Sequence, residues 1–330
     1  MPFDRLKRRE FIALLGGAAA WPISARTQQA MPVIGFLGSQ APGPSANRVA
    51  GFVKGLSEAH YVPGENVAIE YRWAEGRYDR LAPLARELVS RKVAVIAATT
   101  QDSALAAKAA TGTIPIVFNV GGDPVAFGLV VSMNRPAGNA TGVSMFTSGL
   151  GAKRLGLLHE MVSNIAVVGV LINPNNATAK SQLDELQEAA RSLGMQLAVN
   201  DVGSERDLET AIANLVQTGA RALFVAADPF LSSQRDRIVA LAAKYALPAM
   251  YEWPDFVEVG GLMSYSTSII DAYRQVGVYV GRILAGEKPA ELPVLQPVMF
   301  ELAIKLKTAK ALGLEVPPML LARADEVIEQ

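Results

Sequence analysis

Three short stretches place reactive residue types at the spacing of known chemistry, and each lacks an essential member. Gly38-Ser-Gln-Ala-Pro-Gly43-Pro44-Ser45 has the spacing of a phosphate-binding loop. Pro44 stands where such a loop needs the lysine that balances phosphate charge. Gly142-Val-Ser144-Met-Phe146 begins as a nucleophile elbow, but Phe146 replaces the glycine of that tight turn. His159-Glu160 opens a zinc-protease motif whose second histidine position is Ser163. The chain has two histidines, His60 and His159, so imidazole has little scope as a general base. Cysteine is absent, which excludes disulfides, thiolate metal sites and a thiol nucleophile. No Gly-x-Gly-x-x-Gly follows the first strand, and no cofactor or metal is expected. Carboxylates are left: Asp123, Asp228 and Glu252 could pair as acid and base in a cleft. Asp123 and Asp228 each precede proline, and capping the turn or helix that follows is the simpler role for both.

The elements that would carry these residues form a repeating pattern. Pro115-Ile-Val-Phe-Asn-Val-Gly-Gly-Asp123-Pro124 is an apolar run ending in a polar, glycine-rich break, and Ala222-Leu-Phe-Val-Ala-Ala-Asp228-Pro229 echoes it. Such runs read as strands buried on both faces that stop at the open edge of a parallel sheet, where small molecules bind. Strands are expected over 31–38, 67–73, 93–98, 115–120 and 141–146, with amphipathic helices over 45–59 and 78–90. The same order recurs with strands over 166–172, 195–202, 222–227 and 248–252, and a helix over about 231–245. The fold class is therefore α/β, with two doubly wound open-sheet lobes joined by a multi-strand hinge. Residues 31–146 plus about 268–290 are assigned to lobe 1, and 147–267 plus about 291–330 to lobe 2. A crossing strand is expected over 260–265, and 314–330 is not placed. Strand tips of both lobes would face one shared gap.

The first thirty residues read as an address rather than fold. Arg5, Lys7, Arg8 and Arg9 precede an apolar stretch from Phe11 to Trp21, and Ile23-Ser24-Ala25 offers a cleavage site, with Ala30 as the second choice. Arg8-Arg9-Glu10-Phe11-Ile12 is similar to a twin-arginine export signal, although it lacks Ser or Thr before the pair. An ordinary secretory signal is the alternative. Basic and acidic residues number 31 each, so no field attracts nucleic acid or anionic lipid. Cleavage after Ala25 removes four basic and two acidic residues and leaves a mildly acidic, soluble, periplasmic protein.

Several stretches together resemble the substrate-binding proteins of ABC transporters, in the group that includes the tryptophan-binding TrpX-like proteins. They are Arg8-Arg9-Glu10-Phe11-Ile12, Pro32-Val-Ile-Gly-Phe-Leu-Gly38, Gly122-Asp123-Pro124, Ala152-Lys-Arg-Leu155, Asn173-Pro-Asn-Asn176, Ala227-Asp228-Pro229, Gly260-Gly-Leu-Met-Ser-Tyr265 and Ala324-Asp-Glu-Val327. The resemblance implies a type I periplasmic-binding-protein fold, a small polar or amphipathic solute clamped between the lobes and a permease partner; aromatic amino acids are the ligands implied by the TrpX-like relatives, but Asn173-Pro-Asn-Asn176 is not clearly an amino-acid signature and leaves the ligand class open. Residues at the strand tips are then the candidate ligand contacts. Ser39 and Gln40 end strand one. Thr100, Gln101 and Ser103 end strand three, where free N–H groups favour an anion. Asn119 and Asp123 follow strand four, and Asp123 would suit an ammonium group. Asn173, Asn175 and Asp228 come from lobe 2, with Tyr251, Glu252 and Tyr265 near the hinge. Two other classes stay open at this point: a cleft enzyme using Asp123, Asp228 and Glu252, and the effector-sensing part of a regulator.

Overall fold

The computed structural model describes residues 31–297 and 299–329; the export signal expected over residues 1–30 lies outside the described residues. Two sheets organise the chain. The first holds β1 (Val33–Gly38), β2 (Ala68–Trp73), β3 (Val95–Ala98), β4 (Ile116–Val120) and β5 (Ala140–Ser144). Its order is β2-β1-β3-β4-β5, and every neighbouring pair is parallel. Strand side chains alternate between faces. Phe36, Val95, Ala97 and Val117 therefore meet helices Ala46–Glu58 and Ile269–Leu284 on one side. Leu37, Ile96, Ala98 and Phe118 meet helices Leu81–Ser90 and Gln101–Ala110 on the other. That two-sided burial is why β3 reads as an unbroken apolar run and β4 as one interrupted only by Asn119.

The second sheet holds β6 (Val167–Ile172), β7 (Gln196–Asp201), β8 (Ala222–Val225), β9 (Ala249–Tyr251), β10 (Met263–Ser266), β11 (Glu301–Lys305) and β12 (Glu326–Ile328). Its order is β12-β11-β10-β9-β8-β6-β7. Only the β10–β11 pair is antiparallel. Val168, Val170, Phe224 and Met250 pack on helices Gly151–Met161 and Ala179–Ser192. Leu171, Leu223 and Val225 belong with helices Asp207–Gln217 and Arg235–Lys244 on the opposite face.

Several elements differ from the sequence expectation. The strand expected to reach Phe146 stops at Ser144, and Phe146 adopts a left-handed backbone with φ of 48° that turns the chain toward the second sheet. Residues 260–265 form no crossing strand: Met263–Ser266 is β10, an interior strand of the second sheet. The chain returns to the first sheet only through Thr267 and Ser268, where helix Ile269–Leu284 begins. The last crossing starts later than residue 291. Val294 N–H still donates to Met133 O at 2.7 Å, and Leu295 N–H to Gly142 O at 2.9 Å, beside β5. The helix expected over 231–245 is two pieces, Pro229–Ser233 and Arg235–Lys244. The C-terminal segment adds a short helix, Pro318–Leu321, and the edge strand β12.

Helix Ile269–Leu284 lies against helix Ala46–Glu58 so closely that glycine is required at the crossing. A Cβ on Gly55 would overlap the Arg274 carbonyl oxygen, and one on Gly277 would overlap the Phe52 carbonyl oxygen. Both obstacles are backbone, so they cannot rotate aside. Gly277→Ala should therefore lower stability by about 1–3 kcal/mol, the usual cost of overpacking a core. Urea unfolding would show this as a lower midpoint with an unchanged slope, and a midpoint at the wild-type value would contradict the tight crossing.

Candidate functional site

The carboxyl-terminal ends of the strands in both sheets converge on one enclosed gap. From the first sheet it is lined by Gln40 after β1, Thr99 to Asp102 after β3, Asn119 and Gly121 at β4, and Met145 after β5. From the second come Asn176 and Thr178 after β6, Ala227 to Pro229 after β8, and Glu252 and Trp253 after β9. Arg48, Thr147, Ile269 and Tyr273 close the sides. The enclosed volume is about 60 Å³.

Hydrogen bonds across the gap hold the two halves together. The Tyr78 hydroxyl donates to Asp228 Oδ2 at 2.6 Å. Gln40 Nε2 donates to Pro229 O at 3.0 Å, and Ala177 N–H to Asp102 Oδ1 at 3.1 Å. Arg48 pairs with Asp255 at 3.2 Å while also donating to Gln40 Oε1 at 2.9 Å. This is a closed arrangement of the lobes.

Within the second lobe the polar groups satisfy one another. Asp228 caps helix Pro229–Ser233 by accepting from Leu231 N–H at 2.7 Å. It also accepts from Asn176 Nδ2 at 2.9 Å and from Asn173 Nδ2 at 3.3 Å. Burial pushes the Asp228 carboxyl up, and these donors, led by the Tyr78 hydroxyl, pull it back. The first lobe is different. Gln101 and Asn119 are buried, and neither amide oxygen nor amide nitrogen has a protein partner. Asp102 Oδ2 is likewise buried and unpartnered. Burial raises the Asp102 carboxyl to about 6, and Asp228 nearby adds to the rise. Burial also raises Glu252, against the opposing pull of Arg154 and Arg48.

Of the residues expected at the site, Gln40, Thr100, Gln101, Asn119, Asp228 and Glu252 line the gap. The others do not. Ser39 and Ser103 lie behind Thr100: Ser39 Oγ is 2.6 Å from Thr100 Oγ1, and Ser103 forms a capping box with Thr100. Asn173 supports Asp228 from the rear. Asn175 and Asp123 are exposed. Asp123 caps its own turn, accepting from Val125 N–H at 2.8 Å, and is not placed to meet an ammonium group in the gap. Tyr251 stacks on Phe256 and lines a separate hollow in the second lobe. Tyr265 stacks on Phe300.

Sequence reasoning missed Arg48, Asp102, Asn176, Trp253 and Tyr273 among the lining residues. Asp102 and Asn176 lie inside stretches recognised as strand tips, so position alone could have found them. Arg48 and Tyr273 sit on helices, where nothing marks a turn toward a gap. Arg154, also unforeseen, is buried at the crossing. It donates to Tyr265 O at 2.8 Å and Thr147 O at 3.1 Å, tying the two crossing segments together.

The geometry is that of a two-lobed binding protein closed over a site at its strand tips. A family model described as ABC transporter substrate binding protein matches residues 41–328, and the chain belongs to that family. The resemblance read from the sequence thus holds over nearly the whole chain. A curated relative, the tyrosine-binding protein of Clostridioides difficile, is 27% identical over 265 residues, covering 80% of this chain and 76% of its own. A conserved domain protein from Vibrio cholerae matches with a TM-score of 0.82 at 26% identity, over 90% of this chain and 99% of that one. An ABC domain from Streptococcus pneumonia solved with L-Trp matches with a TM-score of 0.81 at 24% identity, over the same shares. Members of the family bind solutes for transporters rather than transform them. Among the described residues no helix is long and apolar enough to cross a membrane.

The raised Asp102 carboxyl gives closure a pH dependence with a definite sign. Its affinity for a proton is higher in the closed form than at the ordinary carboxylate value expected when the gap opens. Protonation therefore favours closure; the contribution is complete below the ordinary value and is lost as pH rises through about 6. Small-angle scattering of solute-free protein should show a larger radius of gyration at neutral pH than near pH 4.5. Asp102→Asn should flatten that change, and an unaltered profile would remove Asp102 from the balance.

Proposed function

We propose that this protein captures an amphipathic, amino-acid-sized solute between its lobes and hands it to the membrane permease of an ABC importer. The observation that carries the reading is the pair of buried, unpartnered amides, Gln101 and Asn119, in a gap also lined by Met145, Trp253, Ile269 and Tyr273. A solute must supply the hydrogen bonds those amides lack, and its apolar part meets the aromatic and aliphatic walls. The tyrosine-binding relative and the L-Trp complex of similar fold point to an aromatic amino acid. A ring of that size needs more room than the closed gap of about 60 Å³ offers, since a cavity that takes benzene measures about 150 Å³. Binding then holds the lobes somewhat further apart, exchanging some cross-gap bonds for contacts with the solute.

Asp228 fits an acid–base role poorly: four donors already occupy it, one of them the Leu231 N–H of the helix it caps. A thermal-shift screen against amino acids, purines, sugars and small carboxylates tests the solute class. Tyrosine, tryptophan or phenylalanine at about 100 times its dissociation constant should stabilise the native state by about 2.7 kcal/mol. A shift with sugars or purines and none with amino acids would refute the reading.

Export places the protein where an importer's permease collects solute. The basic start and paired arginines of residues 1–30 support the twin-arginine route. Replacing Arg8 and Arg9 together by lysine should leave uncleaved precursor in the cytoplasm. Normal processing of that variant would identify an ordinary secretory signal instead.

A further inference from the structure

The two lobes bring unequal resources to the gap. The second-lobe amides beside the gap are spent on neighbours: Asn173 and Asn176 on Asp228, and Gln182 on both polar atoms of Ala227, through Nε2 to its carbonyl at 2.9 Å and Oε1 from its N–H at 2.8 Å. Among the side chains that line the gap, the buried atoms without a partner are all on the first lobe. Gln101 and Asn119 are at least nine-tenths buried with both amide ends free, and Asp102 keeps one buried oxygen without a donor. These three residues sit at adjacent tips, Gln101 and Asp102 just after β3 and Asn119 on β4 beside it.

Charge narrows what they can take. Three carboxylates line the gap, Asp102, Asp228 and Glu252, against one cation, Arg48. Arg48 donates through Nη1 to Gln40 and through Nη2 to Asp255, and its buried Nε has no protein partner. Glu252 faces Arg154 and Arg48, and Asp228 is saturated. Asp102 alone combines a carboxylate with an open acceptor and no cation against it. A buried carboxylate in that position is stabilised by a protonated amine more than by any neutral donor.

We propose that Asp102, flanked by the Gln101 and Asn119 amides, is the subsite that recognises a protonated amine on the solute, so that the first lobe selects and the second lobe closes. The inference rests on the amino-acid reading above and adds which group is read and by which residue. Asp102 bridges both tasks, since its other oxygen accepts from Ala177 N–H of the second lobe. The titratable groups facing it are Asp228 and Tyr78. An amine docked there draws the Asp102 carboxyl back toward its ordinary range and expels its proton near pH 6.

The test is calorimetric titration of the mature chain and its Asp102→Asn and Asn119→Leu variants with three probes: L-tyrosine, tyramine, which lacks the carboxylate, and 3-(4-hydroxyphenyl)propionate, which lacks the amine. Wild type should bind L-tyrosine and tyramine and bind the amine-free acid at least tenfold more weakly than L-tyrosine. Asp102→Asn should weaken both amines at least tenfold and abolish their advantage over the amine-free acid. Titrations at pH 6 in two buffers of different ionisation heat should reveal a proton released from wild type and none from Asp102→Asn. Asn119→Leu should weaken L-tyrosine and keep the proton release, which separates a lost contact from a misfolded variant. Wild type binding none of the probes would overturn the aromatic amino-acid reading and this proposal with it. Wild-type binding of L-tyrosine with Asp102→Asn unchanged, or with the amine-free acid bound equally well, would overturn this proposal alone.

Discussion

A single buried carboxylate, Asp228, is the point on which the closed structure depends. Within its own lobe it caps a helix and gathers Asn173 and Asn176, which fixes the turn after β6 relative to the tip of β8. From the opposite lobe it takes the Tyr78 hydroxyl at 2.6 Å. An ionised carboxylate is costly to bury, and four neutral donors are what make it tolerable here. The donors are divided between lobes, so opening the gap costs Asp228 one of them and returns that face to water.

Other contacts follow the same division. Arg48 reaches across to Asp255, and Gln40 to the backbone of Pro229. Of the four first-lobe partners, Gln40, Arg48 and Tyr78 sit near the tips of β1 and β2, toward the edge away from β5, and Asp102 follows the central strand β3. The crossings lie at the β5 side, where Arg154 binds the carbonyls of Thr147 and Tyr265. Latch and hinge thus occupy opposite margins, which is the arrangement a jaw-like motion requires.

Much of the fold was legible in the sequence for one physical reason: strands covered on both faces become apolar runs, and their ends become abrupt polar breaks. That made β1, β3, β4, β6 and β8 visible along with their tips. It also pointed to several residues that line the gap, because Gln40, Gln101, Asn119 and Asp228 all lie at such breaks. The direction of each side chain was not legible. Asp102 and Asp123 are both acidic residues near a tip, yet one turns into the gap and the other caps a turn at the surface. Tyr251 alternates away from the gap because of its register in β9, while the next two residues, Glu252 and Trp253, line it. Arg48 and Tyr273 carry no local signal at all, since their approach to the gap is set by how two helices cross. The edge strand β12 escaped notice because three residues leave too short a pattern to read.

The path of helix Ile269–Leu284 governs how the chain can be made. This helix covers the face of the first sheet that carries Phe36, Val95 and Val117, although some 150 residues separate its start from the nearest of those strands. The second sheet waits still longer for β11 and β12. On a ribosome, neither half can bury its core until most of the polypeptide has emerged, and such distant pairings slow folding. A fragment ending near Phe146 would keep helix Ala46–Glu58 on that face but leave bare the part that helix Ile269–Leu284 covers. The interleaved path of the chain therefore ties completion of the first lobe to synthesis of most of the second.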